Sequence, residues 1–354
     1  MMEYKDFVQK LQDDLSRKMP DMVFMPENMK KIQRGAYDGI SATPKGSRIG
    51  VVLRPEDFYS EMKTDDDYGQ IVSEAEDFIR ENTGVVKEQD LDVLFDYEAF
   101  RENLTVELVG REQNQEMLAG IPHRDMEDMA LIYRVTVSSQ EKGGASVVVT
   151  NELLNFYGIT PEQLHQDALK NAAEKQPFTI VTMESMVNKL MGLPEQDSAL
   201  PAEQGAGDPP GFYIATTLSG VNGAAVIAYP DFMEEAAKKL QGDFFVLPSS
   251  IHEVLLLKDD GVFGYRELED IVSCVNVEVV LPEEKLTDKV YHYDNTEKVF
   301  ELAEKFEYRK QEQKQAREEQ PRSVLEELKN LKEKTEQRKP KPQSRPTPAY
   351  GASL

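Results

Sequence analysis

The chain of 354 residues is 40% hydrophobic and carries a formal net charge of −24, enough apolar material for a sizeable core in one to three domains. The charge is uneven: 12 Lys/Arg and 7 Asp/Glu lie from Arg309 onward against 29 and 58 before it, so the body stands near −29 and the tail near +5. A body so acidic repels phosphate backbones and anionic lipid, because binding either needs cations to replace released counterions, which argues against nucleic acid and membrane as its partners.

In chain order, MMEYKDFVQKLQDDL is amphipathic and acid-bearing. It lacks the unbroken apolar core of a signal peptide, and Phe7, Val8, Leu11 and Leu15 predict a helix ending before Pro20. KKIQRGAYDGISA and RIGVVLR flank Thr43-Pro44-Lys45-Gly46 and read as two strands of a hairpin. DDDYGQIVSEAEDFIRENTG is a predicted helix: acids in its first turn suit the positive N-terminus, and Gly84 just past its end relieves a left-handed cap. Leu91 to Gly120 is mixed, a short strand with one or two helices. MALIYRVTVSS and ASVVVTN, rich in β-branched residues and separated by Glu141-Lys142-Gly143-Gly144, form a second predicted hairpin. In GITPEQLHQDALKNAAEK, Thr160 caps, Pro161 takes the first helical position and Gln163 completes a capping box. A further helix covers Met183 to Met191 and stops at Gly192.

Residues 193–211, LPEQDSALPAEQGAGDPPG, hold four prolines and few large apolar groups, so burial does not offset the entropy of ordering them and a flexible joint is expected. Beyond it, FYIATT and AAVIAY are predicted strands around an Asn222-Gly223 hairpin turn. The helix DFMEEAAKKLQG, the strands FFVL and HEVLLL, and the helix YRELEDIVSCVN follow. Two strand-strand-helix units about 32 residues apart argue an α+β fold, with antiparallel sheets built from hairpins and helices mainly on one face. Cys274, the only cysteine, falls on the apolar side of LEDIVSCV as a small core residue; alone it permits neither an intrachain disulfide nor a thiolate zinc cluster. A last helix is expected from about Thr296, burying Val299, Phe300, Leu302, Ala303 and Phe306.

RKQEQKQAREEQPR then has helical propensity and almost nothing to bury. SVLEELKNLKEK restores a narrow stripe, Val324, Leu328 and Leu331, behind a Ser323/Glu326 capping box. QRKPKPQSRPTPAYGASL is proline-rich and basic, and disorder is expected there. The domain organisation expected is 1–192, an N-terminal α+β region; 193–211, a flexible linker; 212–308, a strand-strand-helix region with its terminal helix; and 309–354, a helical to disordered basic tail. No apolar run approaches the ~18 residues of a membrane span, and the composition implies a soluble, cytoplasmic protein.

Five phrases, LVGREQNQEMLAGIPHRDMEDMALIY, GITPEQLHQDALKNAA, NGAAVIAYPDFMEEAAKKL, FFVLPSSIHEVLLL and LTDKVYHYD, carry a resemblance to the family known as domain of unknown function 5688, found in gut Firmicutes. The resemblance spans most of Met1 to Asp294 and implies a bacterial cytosolic protein. The family has no assigned activity, so it implies no catalytic residues.

The phrase LPSSIHEVLLL sets Ser249, Ser250, His252 and Glu253 within five residues. A serine hydrolase needs a nucleophile beside a histidine base that an acid orients, and Ser250 and His252 alternate so as to share one face of a strand. Against this, no G-x-S-x-G elbow surrounds either serine. His252-Glu253 also begins H-E-x-x-H, but the closing position is Leu256, which cannot ligate zinc. The competing reading is a bend at Pro248-Ser249-Ser250 entering a buried strand, its hydroxyls and imidazole satisfying backbone groups.

The other motifs dissolve on inspection. His123-Arg124-Asp125 resembles a kinase catalytic loop, yet Ala130 stands where magnesium needs asparagine; a polar turn, with Arg124 pairing Glu127 or Asp128, explains it. Gly220-x-x-Gly223 lacks the Walker lysine. The clusters Asp65-Asp66-Asp67, Asp90/Asp92/Asp96 and Asp259-Asp260-Gly261 miss the glycine or final acid of an EF-hand and read as helix starts and turns. His165 and His292 stand apart from other ligands. The expectation is therefore a non-catalytic binding or regulatory protein with no cofactor and no metal, the alternative being a hydrolase-like enzyme using Ser250, His252 and Glu253. A protein partner is expected through the tail stripe Val324, Leu328 and Leu331, docking into a groove.

Overall fold

A computed structural model of the chain describes residues 2–31, 35–138, 145–190, 211–248 and 250–319. Met1–Glu304 forms one compact unit and Lys305–Leu354 a second. At the start, α1 (Tyr4–Lys18) buries Phe7, Leu11 and Leu15, as the helical spacing predicts. It lies with α2 (Pro55–Glu61) and α3 (Tyr68–Asn82) against an antiparallel sheet ordered β1 (Met22–Lys31), β2 (Gly35–Pro44), β3 (Val51–Leu53). The β2–β3 hairpin is the one expected, with Ile40 opposite Leu53. β1 is an addition. Pro26 within Met22–Lys31 reads against a strand, but β1 is an edge, where a missing N–H costs no ladder bond.

The next sheet is built from β4 (Leu104–Gly110), β5 (His123–Met126), β6 (Met129–Ser138) and β7 (Ala145–Val148). β4 pairs one edge of β6; β5 and β7 share the other edge, each pairing one half of it. Four helices serve this sheet: α4 (Tyr97–Glu102), α5 (Arg111–Leu118), α6 (Asn151–Tyr157) and α7 (Pro161–Lys175). The Thr160 hydroxyl accepts the Gln163 N–H at 3.2 Å, so α7 begins where its capping grammar says. Leu164, Ala168 and Ala172 of α7 then cover the face of β4 and β6 that carries Leu104, Leu108, Leu131 and Tyr133.

A six-stranded antiparallel sheet completes the unit, in the order β13 (Val299–Leu302), β12 (Tyr291–Asp294), β10 (Phe244–Leu247), β11 (Val254–Lys258), β9 (Tyr213–Thr217), β8 (Phe178–Thr182). Its edge strand β8, which α8 (Met183–Leu190) follows, comes from the near side of the 193–211 segment. Phe244 and Val246 face the large core shared with β4, β6, α7 and α9 (Phe232–Leu240). Phe245 and Leu247 face a smaller core under α10 (Tyr265–Glu278). With both faces covered, FFVL has no polar side to show, which is why it reads as an unbroken apolar run. The α+β class with antiparallel sheets stands as expected, but this sheet carries α10 on one face and α9 on the other.

Two expected elements are different. AAVIAY is no strand: Gly223–Ala228 is a buried 3-10 helix, and Asn222 takes a left-handed conformation (φ 51°) ahead of it instead of turning a hairpin. Val299, Phe300 and Leu302 belong to β13, pairing Tyr291–Asp294, and the helix α11 (Ala303–Glu319) begins only afterwards. Short apolar runs fit either period, and contacts from elsewhere in the chain decided both cases. Cys274 is exposed, not a core residue. In the second unit, Arg309 and Lys310 lie over the ring of Phe306.

Candidate functional site

The polar joint between β10 and β11 begins at Ser250, which forms an isolated β-bridge with Lys285. Ser250 is buried; its Oγ donates to Glu253 Oε1 at 2.9 Å and accepts the His252 N–H at 3.0 Å. The imidazole of His252 is turned elsewhere. Nδ1 accepts the backbone N–H of Asn222 at 3.3 Å, leaving the proton on Nε2, which stands 3.5 Å from Glu284 Oε1. The side chains of His252 and Glu284 are each about one third exposed. Ser250 and His252 thus lie in the bend before β11, not on one strand face, and serine hydroxyl and imidazole do not meet.

Backbone contacts lock this joint to its neighbours. Thr216 Oγ1 donates to the His252 carbonyl at 2.7 Å, Ala224 N–H to the Ile251 carbonyl at 3.1 Å, and Ile251 N–H to the Glu284 carbonyl at 2.8 Å. Gly223 is where the chain passes closest: a Cβ there would sit 2.0 Å from Thr216 Oγ1 and 2.2 Å from the His252 oxygen. The Asn-Gly pair is therefore explained by close approach and a left-handed residue, without a hairpin.

A second set of contacts joins the turn between β5 and β6 to the segment before β12. Glu127 adopts φ 59°, and the next residue, Asp128, accepts hydrogen bonds from the hydroxyls of Thr287 and Tyr291. Tyr291 is fully buried, and burial together with the Asp128 carboxylate pushes its phenol far above the ordinary tyrosine range. Gln113 Nε2 donates to the Lys285 carbonyl at 2.7 Å, and a Cβ on Gly110 would lie 2.5 Å from the Leu286 oxygen. Asn276 Nδ2 reaches the Thr287 carbonyl at 2.8 Å and Asp288 Oδ1 at 2.9 Å. Residues 110–113, 127–128, 250–253 and 284–291 thus converge, and all but Glu284 and Lys285 belong to three of the phrases that carry the family resemblance. Glu284, Asp128 and Thr287 escape a reading of local spacing, because Asp128 and Thr287 are 159 positions apart.

The remaining candidates are dispersed. His123-Arg124-Asp125 is not a turn but part of β5, and Arg124 pairs with Glu162 of α7 instead of Glu127 or Asp128; an edge strand points it across to the helix. His165 meets Tyr133 Oη at 2.9 Å, its basicity lowered by burial, while burial pushes the Tyr133 phenol up to about 12. A groove of about 450 Å³ runs past His165, Leu169, Lys170 and Pro230, none of them from the joint. His292 is fully buried beside Asp259, Nε2 to Oδ2 at 3.0 Å. Asp67, Asp90 and Asp96 accept backbone N–H groups at helix starts. Among the described residues, no group of three or more His, Cys, Asp or Glu has the arrangement of a metal site, and no helix is long and apolar enough to cross a membrane. Ser249, the linker proper at 193–210, and Val324, Leu328 and Leu331 lie outside the described residues.

Compared with known proteins, residues 4–295 match the model of DUF5688, a family of unknown function. No curated protein matches the chain, and no solved structure does.

Proposed function

The chain belongs to the DUF5688 family, whose function is unknown, and from that premise we propose that it acts by binding another molecule and not by catalysis at the β10–β11 joint. One observation carries this reading: the Ser250 hydroxyl is committed to Glu253 and the His252 N–H, while both imidazole nitrogens face other groups. A general base takes the proton of a nucleophile within its hydrogen-bond reach, and here the imidazole and the hydroxyl direct their bonds to different partners. Ser250, His252 and Glu253 instead satisfy polar groups at a corner where four chain segments cross, which is what buried hydroxyls and amides require. A cytosolic location is part of the proposal, supported by the single cysteine and the acidic composition.

The test is labelling of the folded, full-length protein with a fluorophosphonate, which reacts with activated serines. Wild type should remain unlabelled at Ser250. Ser250→Ala should lower stability by about 1–3 kcal/mol, because it strips Glu253 and the His252 N–H of a buried partner. Labelling of Ser250 that disappears in His252→Ala would overturn the reading in favour of a hydrolase.

A further inference from the structure

The binding reading above leaves the contact surface unnamed, and α10 offers one. This helix is apolar on two sides. Tyr265, Leu268 and Val272 are buried against the sheet, while Ile271, Cys274 and Val277 recur at three-residue spacing on the other side. Ile271 is 42% and Val277 80% exposed, and just past the helix end Val279 (75%) and Leu281 (54%) are exposed as well. One apolar stripe suffices to seat a helix on a core; a second one left in water marks a contact surface. Exposed acids border it: Asp270 beside Ile271, Glu278 beside Val277, and Glu267 a turn earlier. Nearby lysines are engaged, Lys289 with Glu269 at 3.4 Å and Lys285 with Asp288 at 2.7 Å, and Arg266 leans on the Tyr265 ring.

We propose that this strip docks an amphipathic helical segment of another protein, its apolar stripe flanked by Lys or Arg. The inference rests on the binding reading and gives it a place. Charge selects this occupant over a second copy. A two-fold pairing of α10 with itself about Cys274 sets Ile271 against Val277, and so sets Asp270 against Glu278 on both rims, where like charges repel. A stripe with basic flanks meets carboxylates on both rims instead.

The probe is a synthetic Leu/Lys peptide of about 18 residues, long enough to hold a helix, with every leucine on one face. Its control is a scrambled isomer of identical charge. Cys274, the only thiol in the chain and mid-strip, is the reporter. At saturation the patterned peptide should slow alkylation of Cys274 in full-length protein by about tenfold or more, the isomer should not, and Ile271→Ser with Val277→Ser should abolish peptide binding read by anisotropy. Equal protection by both peptides, or none, overturns the proposal. Protection that grows with protein concentration alone, with a dimer in light scattering, assigns the strip to a second copy and overturns it too. Failure here without fluorophosphonate labelling of Ser250 removes this strip only; such labelling removes the binding reading itself.

Discussion

His292 and Asp259 show how one residue pair turns pH into stability. The His292 side chain is completely buried and its Nε2 lies 3.0 Å from the Asp259 carboxylate. The hydrogen bond from His292 holds the Asp259 carboxyl below the ordinary carboxylate range, although burial works in the opposite direction. A carboxyl depressed in the folded state contributes stability above its unfolded value, ~3.9, and loses it as pH falls through the folded value. Asp259→Asn should therefore cost about 1–3 kcal/mol in urea unfolding at neutral pH, and its deficit against wild type should close as falling pH protonates the folded carboxyl. A deficit unchanged by pH would mean that the carboxylate charge is not what matters. Nothing in VYHYD announces this pair, because Asp259 stands 33 positions earlier and meets His292 only once β12 lies beside β10.

Among the elements, those that announce themselves carry their own local chemistry. The helix α7 has its cap, its proline and its apolar face within one stretch, and it forms where that grammar places it. The strands β10 and β11 are equally legible, since a run buried on both faces has little else it can be. AAVIAY and VFELA depart from what their own residues suggest because their conformation is set from outside, by the His252 carbonyl pressed onto Gly223 and by β12 pairing with Val299–Leu302. The joint was legible in part: the bend at Ser250 follows from Pro248 and the apolar run, whereas Glu284 and Asn222, which hold the imidazole, are 32 and 30 positions from it. The contact between the β5–β6 turn and the approach to β12 makes a separate prediction. Tyr291→Phe keeps the ring and removes the hydroxyl that serves Asp128, so it should destabilise by about 1–3 kcal/mol. In a double-mutant cycle with Asp128→Asn the two losses should fall well short of additive; full additivity would show that the pair does not couple.

At the scale of the whole molecule, charge is the dominant sequence property, and the net −24 comes from the body before Arg309, which taken as a whole carries about twice as many carboxylates as cations. Self-repulsion of this kind weakens the compact state and is screened by salt. Raising ionic strength from about 10 mM to about 0.5 M should raise the melting temperature, and a fall in its place would mean that specific ion pairs outweigh the general repulsion. Another property comes from the six-stranded sheet, where β8 and β9 are neighbours although some 30 residues separate them along the chain. Cutting the polypeptide between them would leave an incomplete sheet on each fragment, with Ile180 on one side and Ala215 on the other stripped of their shelter. The two halves would then behave as mutually dependent subunits, recovering their order only by reassociating, so a break in covalent continuity at that point would be a test of affinity more than of integrity.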